Sequence, residues 1–389
     1  MLSVKQWQVL KTLLVIVCLF ISQNTQASSA ASITKIKSKV YGETREILVS
    51  LPANYKQDKD KIYPVIYLTD ANMQLPHAAP MIHYLAGGIS ELIVVGIQTF
   101  DRHNELSPYH QDGTEFSKSQ GAEKLLSFIE TEVKPLINQT YRTAPFEILS
   151  GHSLGGLFTM FTFARHPEKF DAYFALSPTL AWAEGKLLEQ IEHSLVSLEN
   201  NKILVAYSEK ETPFVKQYAA FEKFLALMET KAPSSLDISA RFISGEDHMT
   251  IAHLGLYHAL RYTFRDWWLS SNTMVGAPEK FDAHYARLSK RLGYDIRPEF
   301  NELWGLTAYL IREQHYVEAH YLIKNGRVIT LTVQRHFMNW LNYISLKINR
   351  LRQTAAFCRP LKMQSLIPDN SAEAKIYRPK SKLKYNWIS

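Results

Sequence analysis

Between residues 146 and 157 a short apolar run breaks into Gly151-His-Ser153-Leu-Gly155-Gly156 and then resumes as an apolar, helix-compatible segment. This is the pattern of a nucleophile elbow, in which a strand turns sharply into a helix with a serine at the apex, in a strained backbone conformation. No side chain fits beside such an apex, and Gly151 and Gly155 leave the room. Ser153 would then stand at a helix N-terminus, where free backbone N–H groups and the helix dipole favour developing negative charge. The chemistry implied is nucleophilic acyl transfer.

A serine hydroxyl is a weak nucleophile and needs a base within hydrogen-bond reach, itself oriented by a third group. When the chain order is Ser, acid, His, the histidine follows the last strand. His248 fits, since Arg241-Phe-Ile-Ser-Gly-Glu-Asp-His248 places it just past a strand-like run and before a helix-like segment. His253 and His258 fall inside that helical segment and read as structural. For the acid, the segment after the penultimate strand offers Glu209 and Glu211, with Glu211 preferred. Asp247 is the weakest candidate because adjacent side chains point apart, and a Ser153–His248 dyad without an acid is a further alternative. The oxyanion donors expected are the backbone N–H of Leu154 and that of Ala71, from the loop Thr69-Asp-Ala-Asn72. Asp70 is expected to shape that loop.

These residues must be positioned by an alternation of strands and helices. Strand-like runs lie at 33–40, 47–51, 65–68, 92–97, 146–149, 172–176, 203–207 and 238–243, and the clearest amphipathic helices at 121–138, 154–165, 214–230 and 251–268. The alternation predicts an α/β fold with a mostly parallel, doubly wound sheet and a ligand site at the C-terminal strand ends, where Ser153 falls. Residues 270–279 read as a linker. Beyond them, 281–293 and 300–325 predict helices, and Leu303, Leu306, Leu310, Ala319 and Ile323 have the spacing of a tetratricopeptide-like pair, docked on the catalytic domain or offered to a protein partner.

The chain ends differ in character. Lys5 and Lys11 precede an apolar run at 13–21 and small residues at 25–27, the pattern of a signal peptide over 1–27, too short in its apolar part to be a stable membrane span. Its removal would leave Cys358 as the only cysteine and take the net charge from +7 to +5, through loss of Lys5 and Lys11. A lone thiol fits a bacterial periplasm better than a disulfide-stapled secreted protein. Residues 319–368 contain no Asp or Glu, and the basic stretch 327–389 is expected to be an irregular tail. With 46% apolar and 21% charged residues the chain is neither disordered nor fibrous, and no aromatic-interleaved basic surface points to nucleic acid.

The motifs together resemble one family. Gly151 to Gly156, Gly245-Glu-Asp-His248, Tyr67-Leu-Thr-Asp70 and Leu176-Ser-Pro-Thr-Leu-Ala-Trp182 are similar to those of α/β-hydrolase esterases that include ferric-siderophore esterases, feruloyl and acetyl-xylan esterases, and S-formylglutathione hydrolases. The resemblance covers about residues 31–270. It implies an esterase without a large lid, supports Ser153 and His248 as nucleophile and base, and places the acid at Glu211 by similarity to a Gly-x-x-Glu loop, with Ser208 where that pattern has glycine. Arg102 lies in a loop resembling a family loop and is expected, with Trp182, to line the substrate site.

The expected function is a secreted or periplasmic serine carboxylesterase for siderophore-like or other acyl and aryl esters. Such a mechanism requires no metal and no cofactor. His77, His83, His103 and His110 have no tight metal-ligand spacing. The competing readings are an acyltransferase that resolves the same acyl-enzyme, and a non-catalytic binding protein on the same fold.

Overall fold

The computed structural model describes residues 31–325 apart from 197, 199–201 and 299. The expected signal peptide, the basic tail and Cys358 lie outside the described residues. Eight strands, β1 (Ser32–Lys37), β2 (Thr44–Ser50), β3 (Tyr63–Leu68), β4 (Ile93–Ile97), β5 (Thr143–His152), β6 (Ala172–Leu176), β7 (Ile203–Glu209) and β8 (Asp237–Ile243), form one sheet in the order β1-β2-β4-β3-β5-β6-β7-β8. The first two pair antiparallel and the rest are parallel. This is the doubly wound sheet expected from the alternation. Strands β3, β4 and β6 are buried at every position, so they read as unbroken apolar runs, as central parallel strands covered on both faces must.

The helices are α1 (Ala71–Leu85), α2 (Arg102–Leu106), α3 (Gly121–Phe128), α4 (Lys134–Thr140), α5 (Leu154–Arg165), α6 (Lys186–Val196), α7 (Val215–Lys231), α8 (Ile251–Thr263), α9 (Ser271–Met274), α10 (Lys280–Leu292), α11 (Phe300–Arg312) and α12 (Tyr316–Asn325). A π-helical turn, Ile129–Val133, joins α3 to α4. One sheet face packs on α3 to α7 through residues such as Leu125, Phe158, Phe161, Leu187 and Phe221. The other packs on α1 and α8 and extends through Phe281, Leu288, Leu303, Leu310 and Leu322 into the C-terminal helices.

Two expectations change here. Residues 70–72, taken for a loop, include the start of α1, which was hidden by Pro76 and Pro80. Both prolines lie on the exposed side of the helix, so the hydrogen bonds they remove are lost where water replaces them. The segment 270–279 is not a free linker: it holds α9, Met274 is fully buried, and the Gly276 N–H donates to Glu318 Oε1 at 2.8 Å. Farther on, Arg291 near the end of α10 ties that helix to the C-terminal end of α8 and the turn after it, through the carbonyls of Thr263 and Arg265, each at 2.7 Å. The C-terminal helices thus complete the hydrophobic cover of the sheet.

Candidate active site

Strand β5 delivers Gly151 and His152 beside Ala175 and Leu176 of β6, and α5 begins one residue after Ser153. Ser153 itself has φ 59° and ψ −117°, a conformation that costs about 1–3 kcal/mol for a residue with a side chain. The surroundings hold it there. A Cβ on Gly151 would stand 2.1 Å from the Gly155 carbonyl oxygen, and one on Gly155 would stand 2.2 Å from Thr69 Oγ1. The glycines are therefore needed for close approach, which also presses the 69–71 segment against the elbow.

Ser153 Oγ lies 3.1 Å from His248 Nε2. On the far side of the ring, His248 Nδ1 lies 3.2 Å from Glu209 Oε1 and 3.0 Å from Ser177 Oγ. With a carboxylate facing Nδ1, that nitrogen carries the proton and Nε2 presents a lone pair to the serine O–H. Glu209 is fully buried at the end of β7. Burial pushes its pKa up, but hydrogen bonds from His248 and Ser177 outweigh that and hold it at about 2. It is a carboxylate throughout the working range.

Glu211, the preferred acid, is not at the histidine. Its Oε2 accepts the Gly245 N–H at 3.0 Å, and the residue is exposed. The difference arises because β7 runs two residues beyond the expected 203–207, pairing Glu209 with Ile243 of β8. The strand's own end carries the carboxylate, and Glu211 falls beyond it in solvent. Asp247 is also occupied elsewhere, accepting the N–H groups of Met249 and Thr250 at 2.8 and 2.9 Å ahead of α8.

Leu154 and Ala71 each open a helix, so their N–H groups have no partner within it and are free to meet an anion. Asp70 precedes Ala71 in a left-handed conformation, φ 54°, and its buried carboxylate accepts Arg102 Nε at 2.8 Å, Arg102 Nη2 at 3.0 Å and Thr99 Oγ1 at 2.5 Å. Arg102, expected to meet substrate, thus commits two of its three nitrogens to Asp70. Trp182 is half-buried, donates from Nε1 to the Tyr109 carbonyl at 3.0 Å, and stacks at a tilt on His103 with ring centres 5.6 Å apart. Phe214 stands edge-on to His248 at 5.8 Å.

Sequence reasoning missed His152 and Ser177. His152 is buried, and its ring centre is 4.7 Å from that of His248. Burial and the nearby His248 charge lower its pKa to about 4, so it is neutral at ordinary pH. Ser177 has φ 42° and is tied by its N–H to the Tyr207 carbonyl at 2.6 Å. The Leu176-Ser-Pro motif was the one signal for it.

Among known proteins, the chain is 27% identical over 267 residues to the ferri-bacillibactin esterase BesA of Bacillus subtilis, covering 62% of this chain and 92% of that one. It is 26% identical over 267 residues to the siderophore triacetylfusarinine C esterase of Aspergillus fumigatus, covering 58% and 90%. Its structure is similar to that of an IroE-like serine hydrolase from Shewanella oneidensis, with a TM-score of 0.66, 26% identity, and coverage of 76% of this chain and 98% of that one. Residues 38–253, more than half of its length, match the family described as "Putative esterase". The chain belongs to that family, and is an esterase-type hydrolase on an α/β-hydrolase fold.

Proposed function

We propose that the protein is a serine carboxylic-ester hydrolase that works through an acyl-enzyme on siderophore-like esters. The observation that carries this reading is the continuous relay Ser153 Oγ, His248 Nε2, His248 Nδ1, Glu209, with steps of 3.1 and 3.2 Å, at the apex of a strained elbow. As the Ser153 oxygen attacks the ester carbonyl, its proton passes to His248 Nε2. The resulting imidazolium is stabilised by the buried Glu209 carboxylate, and the oxyanion is held by the Leu154 and Ala71 N–H groups, each such donor contributing about 3–4 kcal/mol. The tetrahedral intermediate collapses as the alcohol leaves with the proton from Nε2. Water then enters by the same route and releases the acid.

The siderophore class is supported by two relatives, one named as a ferri-bacillibactin esterase and the other as an esterase of the siderophore triacetylfusarinine C. Among the described residues no helix is long and apolar enough to cross a membrane. The leader pattern at 1–27 supports export of the mature enzyme. The test is hydrolysis of p-nitrophenyl butyrate, and of a cyclic catecholate triester with and without bound iron, by residues 28–389 and by Ser153→Ala. The reading predicts kcat falling at least about 10³-fold in the variant on every substrate, with kcat/KM far higher for the triester. Equal rates in the two proteins would refute it.

A further inference from the structure

Beside the catalytic groups, two histidines far apart in sequence face each other. His77 lies in α1, whose first residue is Ala71, and His253 lies in the first turn of α8, which follows His248. Their Nδ1 atoms are 3.2 Å apart and their ring centres 5.3 Å apart, with the rings inclined at 59°. Two imidazole nitrogens bound to one zinc at about 2.0–2.1 Å and a tetrahedral angle are about 3.3 Å apart. The separation matches a chelating pair.

The protonation state also fits. The buried Gln74 places Oε1 3.0 Å from His77 Nε2. That acceptor fixes the proton on Nε2 and leaves a lone pair on Nδ1, as an orienting partner behind a metal-bound histidine does. His253 is exposed, which leaves the remaining positions open to water. No third His, Cys, Asp or Glu joins the pair among the described residues.

We propose that His77 and His253 form a two-imidazole site for a late first-row divalent cation of the zinc class, clipping α1 to α8. The clip would tie the helix that presents Ala71 to the helix that follows His248. The site is independent of the chemistry proposed for Ser153, and its test needs no turnover.

Thermal unfolding of residues 28–389 is followed with and without 100 µM ZnCl2 in chelator-free buffer, beside His253→Gln and His77→Gln, with bound zinc counted by equilibrium dialysis. The proposal predicts a rise of about 2–4 °C for the native chain, and one zinc per chain more than either variant binds. MgCl2, a hard oxygen-seeking cation, leaves the midpoint unchanged. A zinc response that is absent, or equal in the native chain and His253→Gln, would overturn the site and reduce the contact to an imidazole–imidazole hydrogen bond.

Discussion

His152 holds His248 by its backbone, with the Nε2–H of His152 donating to the His248 carbonyl oxygen at 2.6 Å. The residue that precedes Ser153 therefore also fixes the loop that carries His248. A carbonyl can only accept, so Nε2 carries the proton, and the low pKa of His152 keeps a second positive charge away from the imidazolium formed during acylation. Replacing His152 by Ala frees the loop to shift by a fraction of an ångström. We expect kcat on p-nitrophenyl butyrate to fall about 10–100-fold, with little change in KM. Steady-state kinetics on the folded variant checks this, and an unchanged kcat would show that His248 is held well enough by Glu209 and Ser177 alone.

The two candidate acids separate cleanly by substitution. Glu209→Gln keeps the shape of the buried side chain but cannot compensate an imidazolium, and its amide favours the wrong histidine tautomer. A kcat loss of about 10²–10⁴ is expected. Glu211→Gln touches an exposed residue whose hydrogen bond is to the Gly245 N–H, so activity should stay within about twofold of the native enzyme. The reverse ranking would return the acid's role to Glu211.

Arg102 distinguishes a positioning role from a substrate contact. Its bidentate pair with Asp70 fixes the residue just before Ala71. Arg102→Gln should therefore lower kcat by about tenfold even on a neutral ester such as p-nitrophenyl butyrate, through a displaced oxyanion donor. If Arg102 served only to bind an anionic substrate, the neutral ester would be hydrolysed at the native rate and only KM for the anionic ester would rise.

The acid side of the stability curve has two assignable parts. His152 takes up a proton near 6.5 when unfolded and near 4 when folded. In that window the unfolded chain binds more protons, so stability falls as pH drops from 6.5 towards 4. Glu209 acts with the same sign lower down: the stability present above its ordinary value of 4.5 is lost as pH falls towards 2. Urea unfolding at a series of pH values should show a shallower decline between 6.5 and 4 in His152→Asn, and between 4.5 and 2 in Glu209→Gln. Parallel curves would contradict the assignment.

The elbow at Ser153 was legible because it is a local steric problem, and the glycines that solve it stand within three residues of the serine. His248 was legible for a similar reason, as a histidine between the last strand and a helix. Which carboxylate lies against His248 depended on where β7 ends, and two residues of extra strand place Glu209 there instead of Glu211. No local pattern reports such an end when Ser208 and Glu209 are both polar. The contacts that complete the site join residues 96 and 71 positions apart, His152 to His248 and Ser177 to His248. They exist only once the sheet has brought β5, β6 and the 244–250 turn together. Helix α1 was concealed by Pro76 and Pro80, which interrupt its backbone hydrogen bonds; its buried face of Leu75, Ala78, Ala79 and Ile82 holds it helical only once packed on the sheet.

The most direct test of the account is the intact mass of the protein after treatment with a fluorophosphonate, which phosphonylates a serine only where that serine is activated. The account predicts one adduct per chain on the native enzyme, mapped by peptide digestion to Ser153, strongly slowed labelling of His248→Ala, and no adduct on Ser153→Ala. Labelling of Ser153→Ala at the native rate, or none of the native enzyme, would contradict it.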